Sequence, residues 1–190
     1  MTFPTDEDKK RIEGAKVKLM VMLKTKLDQV FGPIYQKREQ DWFISGGVIG
    51  SLLRGEQPND IDIYFRTLGT HNHVVDLLTK SPEMKDKIQD IEEKYRDLRG
   101  KDGKCITENA ITMKNGLQFI TRHTGSPTEI RKSFDFVHCM PWYSVESNKI
   151  YISEEQYYCC VNKVLKKSNP DNWTVEREQK FINAGYTLWP

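Results

Sequence analysis

No long apolar run opens this sequence. The longest near the N-terminus, Leu19 to Leu23, falls far short of the roughly 20 residues that span a bilayer and is too short for a signal-peptide core. The expected location is therefore the cytoplasm, with no membrane partner. Cysteine is scarce and poorly spaced for chemistry. Cys105, Cys139, Cys159 and Cys160 include no CxxC pair, a poor disulfide framework and a poor zinc site, so reduced, mostly buried thiols are expected. Internal repeats, low-complexity tracts and linkers long enough to separate a second folding unit are also missing. Charge of one sign is lacking too: 29 Lys+Arg stand against 27 Asp+Glu, a net +2. That excludes a protein that coats polyanions by bulk charge, and any nucleic-acid contact must come from a local patch.

What the chain does have is core material. Eight Phe, eight Tyr and four Trp spread over 190 residues exclude global disorder and suit one domain. From Asp6 to Phe31, Ile12, Ala15, Leu19, Leu23, Leu27, Val30 and Phe31 recur at helical spacing among lysines, and Gly32-Pro33 ends the run. The basic face of that helix reads more simply as solvated surface than as a nucleic-acid site. Residues 34–40 have helical tendency, Trp42-Phe43-Ile44 reads as a short buried strand, and Val48 to Arg54 reads as a helix. Ile61, Ile63 and Phe65 then alternate with Asp60, Asp62 and Tyr64 in strand fashion. Two helices follow, the second capped by Ser81, with Pro82 in its first turn and an end near Leu98.

Further on, three β-prone runs start at Cys105, Ala110 and Leu117, the last two joined by the hairpin signal Asn115-Gly116. Ser126-Pro127-Thr128-Glu129 is a capping box for one helical turn. Residues 133–139 read as a strand and Trp142 to Ile152 as a hairpin. Ser153 opens a helix expected to reach Lys167, and a last helix runs from Val175 to Ala184 before Gly185. The expectation is one α/β domain with a mainly antiparallel or mixed sheet. It comprises an N-terminal helical segment 1–41, a sheet core 42–152 with a helical insert at about 70–100, and C-terminal helices over 153–190.

The chemistry-bearing residues are Gly46, Gly47, Ser51, Asp60, Asp62 and, much later, Asp135. On a strand, i and i+2 share a face, so Asp60 and Asp62 project together. Adjacent carboxylates repel unless a cation bridges them, and Mg²⁺ favours such oxygen ligands together with substrate phosphates. Asp135, between Phe134 and Phe136, would join them if its strand were a neighbour. Three carboxylates suit a two-ion site in which one ion activates a hydroxyl and the other holds a triphosphate. The Gly46-Gly47 turn opening a helix, with Ser51 one turn on, suits phosphate oxygens. Each element alone is more often a solvated strand face or a tight connection; their conjunction is the signal. The histidines add none: His71 and His73 at i, i+2 do not converge on a metal, His123 lies in a loop, and His138 falls on the face opposite Asp135 and reads as a packed core residue.

The run from Phe43 to Ser51, followed by Asn59-Asp60-Ile61-Asp62-Ile63-Tyr64-Phe65, resembles the signature of the nucleotidyltransferase superfamily typified by DNA polymerase beta. Leu117 to Ile120, Ser133 to Phe136, and Arg177-Glu178-Gln179-Lys180-Phe181 with Gly185-Tyr186 resemble small viral and microbial members. The resemblance spans about 42–65 and 117–188. It implies a polymerase-beta-like α/β fold, a mixed sheet flanked by helices, with an N-terminal helix and a C-terminal helical pair. It also implies a cytoplasmic enzyme, in a host's cytoplasm if phage-encoded, that binds ATP or another NTP and two Mg²⁺ or Mn²⁺ ions. Such an enzyme transfers NMP to a hydroxyl of RNA, tRNA, another nucleic acid, a protein or a small molecule, releasing pyrophosphate. By the same resemblance, Asp60 and Asp62 would bind both ions, Asp135 would complete the ion nearer the acceptor, and Gly46, Gly47 and Ser51 would cradle the β and γ phosphates. Arg54 would add a phosphate contact or form a surface salt bridge. Arg177 and Lys180, at i, i+3, would neutralise triphosphate or acceptor charge or pair with nearby acids. A non-catalytic nucleotide- or RNA-binding protein of this fold, and a toxin or anti-defence protein of a phage or mobile element, are the alternatives.

Overall fold

The computed structural model describes residues 3–32, 41–90 and 103–190. Helix α1, Asp6–Phe31, starts at a reciprocal Thr5/Asp8 capping box and stops at Gly32 with φ +66°. Its buried stripe is Ala15, Leu19, Leu23, Leu27 and Val30, the three- and four-residue spacing of the sequence. Strand β1, Trp42–Ser45, turns at Gly46 into α2, Gly47–Leu53, and returns as β2, Ile61–Phe65. Helices α3, Leu68–Lys80, and α4, Pro82–Lys87, follow. Then come β3, Ala110–Thr112, β4, Leu117–Thr124, and the short α5, Pro127–Arg131. Strands β5, Trp142–Ser144, and β6, Lys149–Tyr151, form a hairpin. The chain closes with α6, Glu154–Val161, β7, Val164–Leu165, α7, Val175–Asn183, and β8, Thr187–Leu188.

Six strands make one mixed sheet in the order β3-β4-β2-β1-β5-β6, parallel only between β2 and β4; β7 and β8 pair separately. Helices α1, α2 and α3 pack on one face around Trp42, Ile44, Ile61, Ile63, Phe65 and Phe119. The other face carries a smaller cluster, Phe43, Tyr64 and Ile130, packed by Ile120, Phe134 and Trp142. This is the mixed-sheet α/β fold the sequence predicts. All four cysteines are free, and three are buried.

Three expectations need correction. Residues 133–139 are not a strand: after α5 the chain turns, Phe136 makes one bridge to Lys167, and Val137–Cys139 form a 3-10 turn. Both edges of β2 are already taken by β1 and β4. The alternating Phe134 and Phe136 serve two separate clusters instead of two faces of a sheet. Helix α4 stops at Lys87 because Ile88 turns extended, is fully buried and bridges to Met113. The remainder of the expected helix, beyond residue 90, lies outside the described residues, as does the segment 34–40. Finally, α6 ends at Val161, not near Lys167; Lys163 takes φ +51° and the chain continues as β7 beside β8.

Candidate active site

Parity on β2 sends Ile61 and Ile63 to the helix-covered face and leaves Asp62 and Tyr64 on the other. Asp62 stands opposite Ser45 on β1 and Gln118 on β4. The turn into α2 comes so close that a Cβ on Gly46 would lie 2.5 Å from Asp62 Oδ2, at a φ of +90°. Gly46 donates its N–H to the Cys139 carbonyl (3.0 Å), and Ser45 Oγ reaches the carbonyls of Cys139 (3.2 Å) and Pro141 (2.8 Å). These contacts tie the glycine turn to the segment that follows Asp135.

A cleft of about 390 Å³ opens here, and all nine residues singled out in the sequence line it: Gly46, Gly47, Ser51, Arg54, Asp60, Asp62, Asp135, Arg177 and Lys180. Burial and the neighbouring Asp60 push the Asp62 carboxyl up to about 7, against the opposing pull of Arg177 and Lys180. Asp135 is 11% exposed at its side chain, and its Oδ2 accepts from Arg177 Nε at 2.7 Å. Arg54 donates to the Cys160 carbonyl (2.6 Å) and to Glu56 (2.7 Å) and lies over the Tyr186 ring. Lys163 also reaches Glu56 at 3.0 Å, and the two cations hold that carboxyl down at about 2. Both Arg54 and Arg177 are thus engaged by acids.

His138 is buried among Phe136, Phe181 and Tyr186 with Nε2 3.3 Å from Cys139 Sγ; it is the packed residue expected, although the strand whose parity suggested it is a 3-10 turn. Sequence reading missed Glu56, Lys163 and Gln118. Gln118 was findable as the polar position between Leu117 and Phe119. Lys163 was hidden because its place in the cleft depends on where α6 stops.

The donors can be tested against a divalent cation. Asp62 is raised first by its burial and then by the exposed carboxylate of Asp60 beside it, a repulsion that a hard cation would relieve, so this pair has the oxygen donors that one ion would need. A second ion shared with Asp135 does not fit this arrangement. Arg177 occupies that carboxylate, the neighbouring strand offers the amide of Gln118, and no group of three His, Cys, Asp or Glu among the described residues could hold a metal.

Residues 14–163 match the model of the Gabija anti-defense 2 family. No curated protein sequence matches the chain. Among solved structures, the Thermotoga maritima CCA-adding enzyme complexed with tRNA is similar at a TM-score of 0.56 and 12% identity, covering 94% of this chain and 42% of that one. The Bacillus stearothermophilus CCA-adding enzyme in complex with CTP gives 0.52 and 15%, covering 95% and 41%. A CCA-adding enzyme complexed with ATP gives 0.52 and 12%, covering 95% and 42%. The chain therefore shares their fold and spans about two-fifths of their length. No helix among the described residues is long and apolar enough to cross a membrane.

Proposed function

Because the chain belongs to the Gabija anti-defense 2 family, we propose that it opposes that defence as a nucleotidyltransferase, moving NMP from an NTP to an acceptor hydroxyl with release of pyrophosphate. The observation that carries this reading is the Asp60/Asp62 pair in a cleft that also holds Arg177 and Lys180. A divalent cation at Asp60 and Asp62 would supply charge neutralisation for the triphosphate and activation of the acceptor hydroxyl. The chain's own residues do the positioning. Gly47 and Ser51 line the phosphate side at the start of α2, while Gly46 keeps its turn clear of Asp62. Lys180 and Arg177 draw the triphosphate toward α7, and Arg177 would exchange Asp135 for phosphate oxygens when the substrate enters. Tyr186, Phe181 and Ala184 also line the cleft. In this reading α1 and α2 back the sheet that carries the carboxylates, α6 packs against α2, and α7 docks on Phe136, Leu165 and Tyr186 beside the cleft.

One observation favours a second reading, a nucleotide-binding protein without turnover: Asp135 is committed to Arg177, which leaves two carboxylates free for a cation. Titration with ATP, GTP, CTP and UTP, with Mg²⁺ or Mn²⁺, separates the two. At about 100 times its dissociation constant a ligand stabilises by about 2.7 kcal/mol, or roughly 5–10 °C in melting temperature for a chain of this size. A metal-dependent shift that is lost in Asp60→Asn/Asp62→Asn, together with transfer of label from an α-labelled NTP, is expected. A shift without transfer to any acceptor selects the second reading, and no shift with any nucleotide overturns both.

A further inference from the structure

The sheet face that carries Asp62 also carries a row of aromatic rings leading away from the cleft. Tyr64 stacks on Phe43 at 5.2 Å between centroids, Phe43 meets Trp142 edge-on at 5.9 Å, and Trp142 stacks on Tyr151 at 4.3 Å. The register requires this: Tyr64 is opposite Phe43 across β2 and β1, and Trp142 is opposite Tyr151 across β5 and β6. Tyr64 lines the cleft at one end, and Tyr151 is 36% exposed at the other.

Cations cover this row. The Arg66 guanidinium is 5.9 Å from the Phe43 ring and 5.5 Å from that of Trp142. Arg131, held by the carbonyls of Pro127 and Met140, is 6.0 Å from the Trp142 ring, and Lys149 Nζ is 5.2 Å from that of Tyr151. Among the described residues none of the three pairs with a carboxylate, unlike Arg54 and Arg177 in the cleft. Arg66 Nε is buried without an acceptor. Nearby acids are committed elsewhere: Asp41 accepts from Thr70, and Glu129 closes the capping box on Ser126. Two half-buried guanidiniums over one indole, with no carboxylate partner among the described residues, present a planar fork of N–H donors that is suited to phosphate oxygens. Aromatic rings beside such cations are how proteins hold unpaired nucleic-acid strands.

We propose that this side of the sheet binds a single-stranded nucleic acid: Arg66, Arg131 and Lys149 take its phosphates, a base lies against the exposed Tyr151, and, because Phe43 and Tyr64 are buried under Ile130 and Phe134, the strand runs over the arginines and not over the inner rings on its way to the cleft. The proposal names the acceptor class of the transferase reading and rests on that reading for the chemistry, but not for the binding. Local charge performs here what the net charge of +2 cannot.

The test is fluorescence anisotropy of labelled RNA and DNA oligonucleotides of about 10 residues with the full chain, between about 50 and 200 mM salt. Arg66→Gln/Arg131→Gln is expected to weaken binding at least tenfold. It should also lower the salt slope by about 1.4, the share of two single-strand phosphate contacts. The control Lys10→Gln/Lys24→Gln on α1 should bind as the wild type does, and the arm that binds more tightly identifies RNA or DNA. The metal-dependent nucleotide shift serves as the fold check and should survive in the arginine variant. If neither oligonucleotide binds while a nucleotide still shifts the melting point, this proposal falls and the transferase reading stands; a partner protein would then be sought for the face. Equal loss of binding in the α1 control would also overturn it. If oligonucleotides bind through Arg66 and Arg131 but no nucleotide shifts the protein, the transferase reading fails and the strand-binding face stands.

Discussion

At Gly46 a missing side chain creates the room that Asp62 occupies. Any Cβ would meet Asp62 Oδ2 at 2.5 Å, and the backbone there has φ +90°, which non-glycine residues adopt only with strain. Gly46→Ala is therefore expected to cost about 1–3 kcal/mol in urea unfolding and to weaken metal-dependent nucleotide binding by displacing the carboxylate. Gly47→Ala is the internal comparison, because a Cβ there would meet nothing within 4 Å. Its unfolding midpoint should stay close to that of the wild type, and an equal loss in both variants would dissociate Gly46 from Asp62. The glycine pair was legible in the sequence as a tight turn opening a helix. That one glycine makes space for a carboxylate was not, because it depends on the β1–β2 register that sets Ser45 against Asp62.

The element that decides the state of the cleft is α7. It has no fully buried residue and docks through Phe181, beside Trp173, onto Phe136, Leu165 and Tyr186. Two ion pairs add to this, Lys167 with Glu178 at 3.3 Å and Arg177 with Asp135 at 2.7 Å. Arg177→Gln would leave Asp135, 11% exposed, without its cation. Because the Arg177 side chain is 44% exposed, solvent screens the pair, and a loss of about 1–2 kcal/mol in chemical unfolding is expected, with partial recovery in Arg177→Lys. An unchanged midpoint would mean that the aromatic contacts and the Lys167–Glu178 pair hold the helix without Arg177. The alternation Phe134-Asp135-Phe136 predicts a strand beside β2, but a strand needs a free edge as well as a pattern. With β4 and β1 already paired to β2, the segment turns, and its acid meets α7 instead of the carboxylate pair.

Over the whole molecule, residues far apart in sequence close around one buried imidazole. His138 packs between Phe181 and Tyr186 near the C-terminus and the Phe136 ring. Burial, helped by Arg177 and Arg54, depresses its pKa from 6.5 to about 3. Between those values the unfolded chain binds a proton that the native one refuses, so this contribution to stability is complete above pH 6.5 and drains away as the pH falls. The slope is about 1.4 kcal/mol per unit, so His138→Phe should lose about 1.5–2 kcal/mol less than the wild type between about pH 6.5 and 5 in urea titrations. Identical pH profiles would mean that His138 titrates alike in both states.

The sequence by itself determined the elements whose cause is local. Helix α1 and its ends, the Asn115-Gly116 hairpin, the Ser126 and Ser153 capping boxes and the Asp60/Asp62 pair beside a glycine turn all follow from spacing, capping and turn chemistry within a few residues. Tertiary structure decided what depends on who is next to whom. The order β4-β2-β1 denies Asp135 a strand and sets Gln118 beside Asp62, and the end of α6 at Val161 brings Lys163 to Glu56. Packing across β1, β5 and β6 lines up Tyr64, Phe43, Trp142 and Tyr151 under Arg66 and Arg131. Local propensity is written in neighbouring residues, whereas strand order and register emerge when the core closes, and a charge's partner is known only then.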